Sequence, residues 1–283
     1  MMPTTMAFSG EKRVFGLTFS ELFSFTMIVA ACNALLPTVV GGIAGDGVWY
    51  SLLNTFEVSA IVWAGLFLGI RYVREIPEKP IGKADLAAAL TTLACCVLPL
   101  GPFTWVVLSG AALYLMVTAG GPLSSQAHGG WILLAVTVPM FWSKRLFNFF
   151  SEFLLSLDAM LVSRITQTPR VANLVAMPGG AGYLQIAAPC SSMANVSLAI
   201  LCWVLFTQVS NTRWRPRNVV WCAVSCAAVV AINTTRIALI GFFPQRYELL
   251  HGPVGATVVS WITVAAVVSI CFVGVSRGPR QAI

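Results

Sequence analysis

Charge is scarce in this sequence. Asp, Glu, Lys and Arg make up 10% of its 283 residues and apolar residues 58%, where a soluble domain carries about 25% charged residues. That balance argues against a water-soluble fold. Histidine is scarcer still, with only His128 and His251 in the whole chain. No His-Glu-x-x-His occurs, so a zinc-protease site lacks its ligands, and no pair of aspartates sits within apolar runs to support an intramembrane aspartyl mechanism. The eight cysteines (32, 95, 96, 190, 202, 222, 226 and 271) lie mostly inside apolar stretches without Cys-x-x-Cys spacing. They read as small core residues rather than a zinc or disulfide framework, and neither a metal nor a cofactor is expected. Basic residues exceed acidic ones, for a net charge of +7. Because they are scattered over short loops rather than gathered in one patch, nucleic acid is not an implied partner.

What is plentiful is apolar sequence in long runs. A transmembrane helix needs about 20 such residues, and the runs propose eight spans: 17–38, 52–70, 84–101, 102–119, 130–150, 190–210, 219–240 and 253–275. The expected fold is all-α, a polytopic transmembrane helical bundle forming one integral membrane domain over 1–283. The first run, Leu17 to Leu36, lacks a small-residue cleavage site and reads as a retained helix. Cytoplasmic loops collect Lys and Arg. The basic joints are Lys12 and Arg13, then Arg71, Arg74, Lys79 and Lys83, then Arg213, Arg215 and Arg217, then Arg277 and Arg280. Eight spans put these 11 of the 17 basic residues on one side. Both termini are therefore expected in the cytoplasm, in a multi-pass protein of the cell (inner, cytoplasmic) membrane.

Two segments depart from the pattern of spans. Residues 143–165 mix Phe147, Phe150, Phe153, Leu154, Leu157 and Leu161 with Glu152, Asp158 and Arg164, as an amphipathic helix at the interface or an extension of span five would. Residues 171–188 place Val171, Leu174, Ile186 and Ala187 around Pro178-Gly179-Gly180, which predicts a short extracytoplasmic β-hairpin. The turn from Gly120 to Gly129 holds His128 beside Ser124 and Ser125. Without an orienting acid or a nucleophile elbow, it reads as a solvated loop. Cys222 and Cys226 stand one turn apart on span seven and read as packing.

The chemistry-bearing residues converge by arithmetic. A helix from Cys190 to Ser210 rises about 30 Å at 1.5 Å per residue, one hydrocarbon thickness. Span seven returns from the three-arginine loop, so Asn233 and Arg236 arrive near its outer end, and span eight begins near His251. A cysteine at a helix start, after Pro189, has the dipole and a nearby cation to favour its thiolate. A histidine passes protons near neutrality, and an arginine can stabilise an oxyanion. Together these suit acyl transfer through a thioester. Singly, each has an ordinary reading as a packed thiol, an interfacial histidine or a snorkelling arginine. Glu57 within span two, with Asn54 on the same helical face, is a further candidate because an ionisable group in lipid is costly; a structural role is equally open to it.

Three ordered blocks carry a resemblance. They are Met177-Pro-Gly-Gly-Ala-Gly-Tyr-Leu-Gln-Ile-Ala-Ala-Pro-Cys190-Ser191-Ser192-Met193, Asn233-Thr-Thr-Arg236-Ile237 and His251-Gly-Pro-Val-Gly255. In order, spacing and membrane placement this set resembles the exosortase and archaeosortase family over residues 171–275. The N-terminal half is similar only as a generic set of helices. Ser191 and Asn233, within these blocks, and Glu57, on the cost of an acid in lipid alone, are candidate substrate-binding residues, while the resemblance implies catalytic roles for Cys190, Arg236 and His251. It also implies cleavage of C-terminal sorting signals on membrane-anchored proteins bound for the surface, and transfer to a surface acceptor. The family usually has Cys-Ser-Gly where this chain has Cys190-Ser191-Ser192, so the backbone after the nucleophile is expected to differ. The competing expectation is a non-catalytic scaffold or a transporter, for which helices broken at the midplane would speak; Pro99 and Pro139 interrupt apolar runs, but no paired repeat accompanies them.

Overall fold

The computed structural model describes residues 16–98, 102–180, 182–212 and 215–277. Lys12, Arg13, Arg213, Arg280 and Pro99 lie outside the described residues. The helices in chain order are α1 Phe19–Asp46, α2 Val48–Leu53, α3 Ala60–Arg74, α4 Lys83–Val97, α5 Phe103–Val117, α6 Ser125–Thr137 and α7 Ser143–Thr166. Three short strands follow, β1 Arg170–Val171, β2 Leu174–Ala176 and β3 Tyr183–Gln185, and then α8 Met193–Val209, α9 Pro216–Phe242, α10 Tyr247–His251 and α11 Pro253–Ser276.

Among the described residues, five helical segments are long and apolar enough to cross a membrane: Phe19–Asp46, Ser125–Thr166, Ala188–Val209, Pro216–Phe242 and Val254–Ser276. They correspond to the first, fifth, sixth, seventh and eighth of the runs expected to span. The helices α3, α4 and α5 have 15 residues each, about 22 Å at 1.5 Å per residue, which is short of a ~30 Å hydrocarbon core. The outer surface suits lipid: on α11, Trp261 and Phe272 are 71% and 64% exposed, and an apolar face of that kind calls for an apolar solvent.

The packing groups into two compact units, Met1–Ser59 with Leu66–Leu134 and Ala60–Gly65 with Ala135–Ile283. In the first, α1 packs against α4 and α5. Its N-terminus carries a capping box: Glu21 N–H donates to Thr18 Oγ1, and Thr18 N–H donates to Glu21 Oε2 at 2.8 Å. Both satisfy backbone donors that the first turn leaves without intrahelical partners. Asn33, a polar residue inside α1, donates to the Cys96 carbonyl at 2.9 Å and to Thr104 Oγ1 at 3.0 Å. It thereby ties α1 to the end of α4 and the start of α5.

Two expectations fail in this unit. Span two was expected to run through Glu57, but α2 ends at Leu53 and residues Thr55, Phe56 and Glu57 have φ of 52°, 56° and 58°. Three consecutive left-handed residues cannot continue an α-helix. Thr55 Oγ1 closes the turn on the Val58 carbonyl at 2.6 Å. Glu57 is exposed in that turn, not held in a span on one helical face with Asn54. The second correction concerns His128, expected in a solvated loop. It lies in the first turn of α6, 3% exposed, with its ring 5.3 Å from that of Tyr72. The neighbouring glycines serve close packing rather than a turn. A Cβ at Gly129 would meet Val73 Cγ2 at 2.8 Å, and one at Gly130 would meet Met116 Cγ at 2.6 Å.

In the second unit α9 is central, packing against α7, α8 and α11. One core gathers Cys202, Trp203, Val229, Val267 and Cys271, with Cys222 and Cys226 packed against it, as expected of small apolar residues. A 42-residue helical run, Ser125–Thr166, ends in α7. It is interrupted by a π-helical turn at Val138–Trp142, where Pro139 has no N–H for the regular ladder. The segment 143–165 is thus an extension of that run. Its Phe149 and Phe153 are 84% and 62% exposed while Ala159 and Val162 are fully buried. The expected hairpin is present, enlarged by β1 to a three-stranded antiparallel sheet in the order β1-β2-β3. Val175 pairs with Leu184, and Ala176 with Tyr183. The connection needs Gly179 and Gly180, whose φ of 79° and 77° would strain other residues.

Candidate active site

The sheet reaches the site through its inner face. Val175 and Ile186 pack with Ala159 and Val162 of α7 and with Ile237 and Ala238 of α9, and Cys190 lies against this cluster. Asn173 donates to the Ile186 carbonyl at 3.0 Å, fixing the chain four residues before the cysteine. Pro189 then turns it through a 3-10 turn at Ala188–Cys190. Cys190 is half-buried.

The cysteine was expected to start a helix, but regular α8 begins three residues later, at Met193. Ser191 is extended, with φ −67° and ψ 141°, so the helical ladder cannot pass through it. Its Oγ accepts the Met193 N–H at 3.3 Å, capping the first turn. Cys190 therefore sits just upstream of the positive end of α8 rather than within its first turn.

Asn233 of α9 closes on this loop. Its Nδ2 donates to the Cys190 carbonyl at 2.8 Å and to Ser192 Oγ at 3.0 Å. Ser192 in turn donates its hydroxyl to Asp158 Oδ1 at 2.9 Å and its N–H to Asp158 Oδ2 at 3.2 Å. All three side chains are buried, with Asp158, Ser192 and Asn233 exposed by 6%, 4% and 7%. Buried polar groups persist when bonded in this way.

Arg236 follows Asn233 by one helical turn. Its Nε donates to the Leu250 carbonyl at 3.1 Å and an Nη to the His251 carbonyl at 3.4 Å. These are terminal carbonyls of α10, which have no partner within the helix, so the guanidinium caps it. His251 is exposed, and its ring stacks on Tyr247 with centroids 4.8 Å apart and planes at 11°. The turn into α11 depends on two glycines. A Cβ at Gly252 would fall 2.3 Å from the Glu248 carbonyl oxygen, and one at Gly255 2.3 Å from that of Leu249.

The structure thus joins Cys190 to Asn233 and Arg236 to the His251 segment through backbone carbonyls. Among the described residues, no hydrogen bond links the thiol, guanidinium and imidazole to one another. Ser191 lies in the cysteine loop, and Glu57 belongs to the other compact unit. A groove of about 380 Å³ opens beside the loop, with Lys144, Phe147 and Asn148 of α7 on one wall and Ala188, Pro189 and Met193 on the other.

Sequence reasoning missed Asp158 and the bonding role of Ser192. The signal for Asp158 was an acid among Phe and Leu in a helix, the same signal that pointed to Glu57. No group of three or more His, Cys, Asp or Glu side chains suited to a metal ion occurs among the described residues. Compared with known proteins, the chain matches no family model, no curated protein and no solved structure.

Proposed function

We propose that this chain is a membrane-embedded cysteine peptidase or transpeptidase of the exosortase type, with Cys190 as nucleophile, His251 as proton carrier and Arg236 as oxyanion donor. One observation carries the reading. A single helix, α9, fastens the cysteine loop through Asn233 and, one turn on, the histidine segment through Arg236. Two pieces of chain that are distant in sequence are thus held by neighbouring positions of one rigid element, as a preorganised site requires.

In the proposed reaction, the Cys190 thiol gives its proton to His251 and Sγ attacks the carbonyl carbon of the scissile peptide, so that the S–H bond breaks and a C–S bond forms. A guanidinium has five N–H donors, and two serve α10, so the others are available to the oxyanion. The C–N bond breaks, and His251 gives a proton to the leaving amine. The resulting thioester is resolved by an acceptor amine, another nucleophile or water, which regenerates the thiol. Substrates would be membrane-anchored proteins whose C-terminal signal has a short motif, one helix and a basic tail. The segment flanking the scissile bond would occupy the groove between Lys144 and Pro189. In the bilayer we place eight spans, with α3, α4 and α5 as the short ones. Both termini face the cytoplasm of the inner membrane, and the site opens on the outer side.

One feature favours a transporter or scaffold instead, namely the π-helical turn at Val138–Trp142, since broken helices line transport sites. The two readings differ in covalent chemistry. Purified protein mixed with a candidate sorting-signal peptide and quenched in acid should yield a hydroxylamine-sensitive adduct on the Cys190 peptide by mass spectrometry. A panel of such peptides that leaves Cys190 unmodified, while the same membranes process the parent proteins, would point to another mechanism.

A further inference from the structure

We infer that Asp158 and Ser192 form a buried positioning pair that sets the Cys190 loop for attack, an inference that rests on the cysteine mechanism proposed above. The bonding pattern leaves little freedom. Ser192 Oγ accepts from Asn233 Nδ2 at 3.0 Å, so its single hydrogen goes to Asp158 Oδ1 at 2.9 Å. The Ser192 N–H takes the other carboxyl oxygen at 3.2 Å. Both oxygens of Asp158 are acceptors, and both donors come from one residue, two positions after the nucleophile. Asn233 then links that residue to the Cys190 carbonyl at 2.8 Å. The chain of bonds runs from α7 through the loop to α9 and holds the backbone at the cysteine's carbonyl and two residues after it.

A glycine at 192 would keep the N–H bond to Asp158 but lose the hydroxyl bonds to Asp158 and Asn233. The serine that departs from the resembled Cys-Ser-Gly pattern is therefore the residue through which Asp158 acts. Asp158 bonds to Ser192 and not to the thiol, and it touches no reacting atom of the proposed mechanism. Its contribution is to orientation, and orientation governs turnover more than substrate affinity.

The test uses the full-length protein in detergent with a processed substrate. The variants are Asp158→Asn, Ser192→Ala, their combination, and Ser192→Thr. Asp158→Asn keeps the volume but replaces one acceptor by a donor, and Ser192→Ala removes the hydroxyl. We expect each to lower kcat at least five-fold with KM within two-fold. The rate at which iodoacetamide alkylates Cys190, followed by mass spectrometry across pH, should change at least three-fold. The combination should be no worse than the poorer single variant, because both break one chain of bonds. Ser192→Thr, which restores a hydroxyl, should recover most of what Ser192→Ala loses; this comparison separates positioning from simple instability. Wild-type kcat and alkylation in both Asp158→Asn and Ser192→Ala would overturn the pairing. So would equal losses in Ser192→Thr and Ser192→Ala at equal melting temperatures. If Cys190→Ala is inactive in the same assay, only the positioning inference fails; if it is active, the cysteine mechanism itself fails.

Discussion

Asn233 donates its side-chain amide to the main-chain carbonyl of Cys190 at 2.8 Å, across 43 positions of sequence. The bond fixes where α9 meets the loop before α8. Because the same amide also donates to Ser192 Oγ, the residues on either side of Ser191 are tied to one point. Asn233→Asp keeps the shape and removes both donors. It also sets a carboxylate against a carbonyl, in a buried place where an unmet polar group costs about 1–3 kcal/mol. We expect substrate processing to drop by about ten-fold or more, with thermal stability lowered. Activity assays alongside melting curves in detergent check this, and unchanged processing would remove Asn233 from the site.

Arg236 spans two carbonyls with a planar fork, a geometry that lysine cannot reproduce. Arg236→Lys preserves the charge and should still lose most activity. It should also loosen α10, seen as faster hydrogen exchange over residues 247–252. A variant with full activity and unchanged exchange would leave only a charge role for residue 236.

Gly252 and Gly255 let α10 and α11 approach to a distance that no side chain permits. Gly255→Ala would drive a Cβ into the Leu249 and Leu250 carbonyls at 2.3 and 2.7 Å, and overpacking of that kind costs about 1–3 kcal/mol. We expect a lower melting temperature and impaired processing, because the displaced segment carries His251. Normal activity with normal stability would mean that His251 needs no fixed backbone.

These particulars show what could be read in advance. Because rise per residue is a constant, helix length predicts that the start of α8 lies beside the C-terminal end of α9, and there Asn233 meets the Cys190 loop and Arg236 the His251 segment. The Pro178-Gly179-Gly180 turn announced the hairpin. Glu57 misled because its turn is made by Thr55, Phe56 and Glu57 at positive φ, a conformation that no glycine signals. His128 misled because Gly129 and Gly130 mark close approach to Val73 and Met116, which in sequence looks like a loop. The two roles of an apolar-helix acid, exposed at a turn or bonded in a core, separate only in three dimensions. Glu57 takes the first and Asp158 the second.

The proposed sidedness rests on the basic loops. Reporter fusions or cysteine labelling at Arg215 and at Tyr247, at opposite ends of α9, should report opposite sides of the membrane, with Arg215 cytoplasmic. The same side for both would contradict α9 as a span and the site's position with it.

The most direct measurement of the central claim is processing of a co-expressed substrate in membranes by wild-type protein and by Cys190→Ala, with the amount of each checked by immunoblot. Alanine keeps a small apolar side chain against the core cluster that includes Val175, Ile186 and Ile237, so folding and insertion should persist. The account predicts full-length substrate accumulating with Cys190→Ala and at least a hundred-fold loss of cleavage with Cys190→Ser, whose hydroxyl is a far weaker nucleophile near neutral pH (~10² or more in rate). Wild-type processing by normally expressed Cys190→Ala would contradict it.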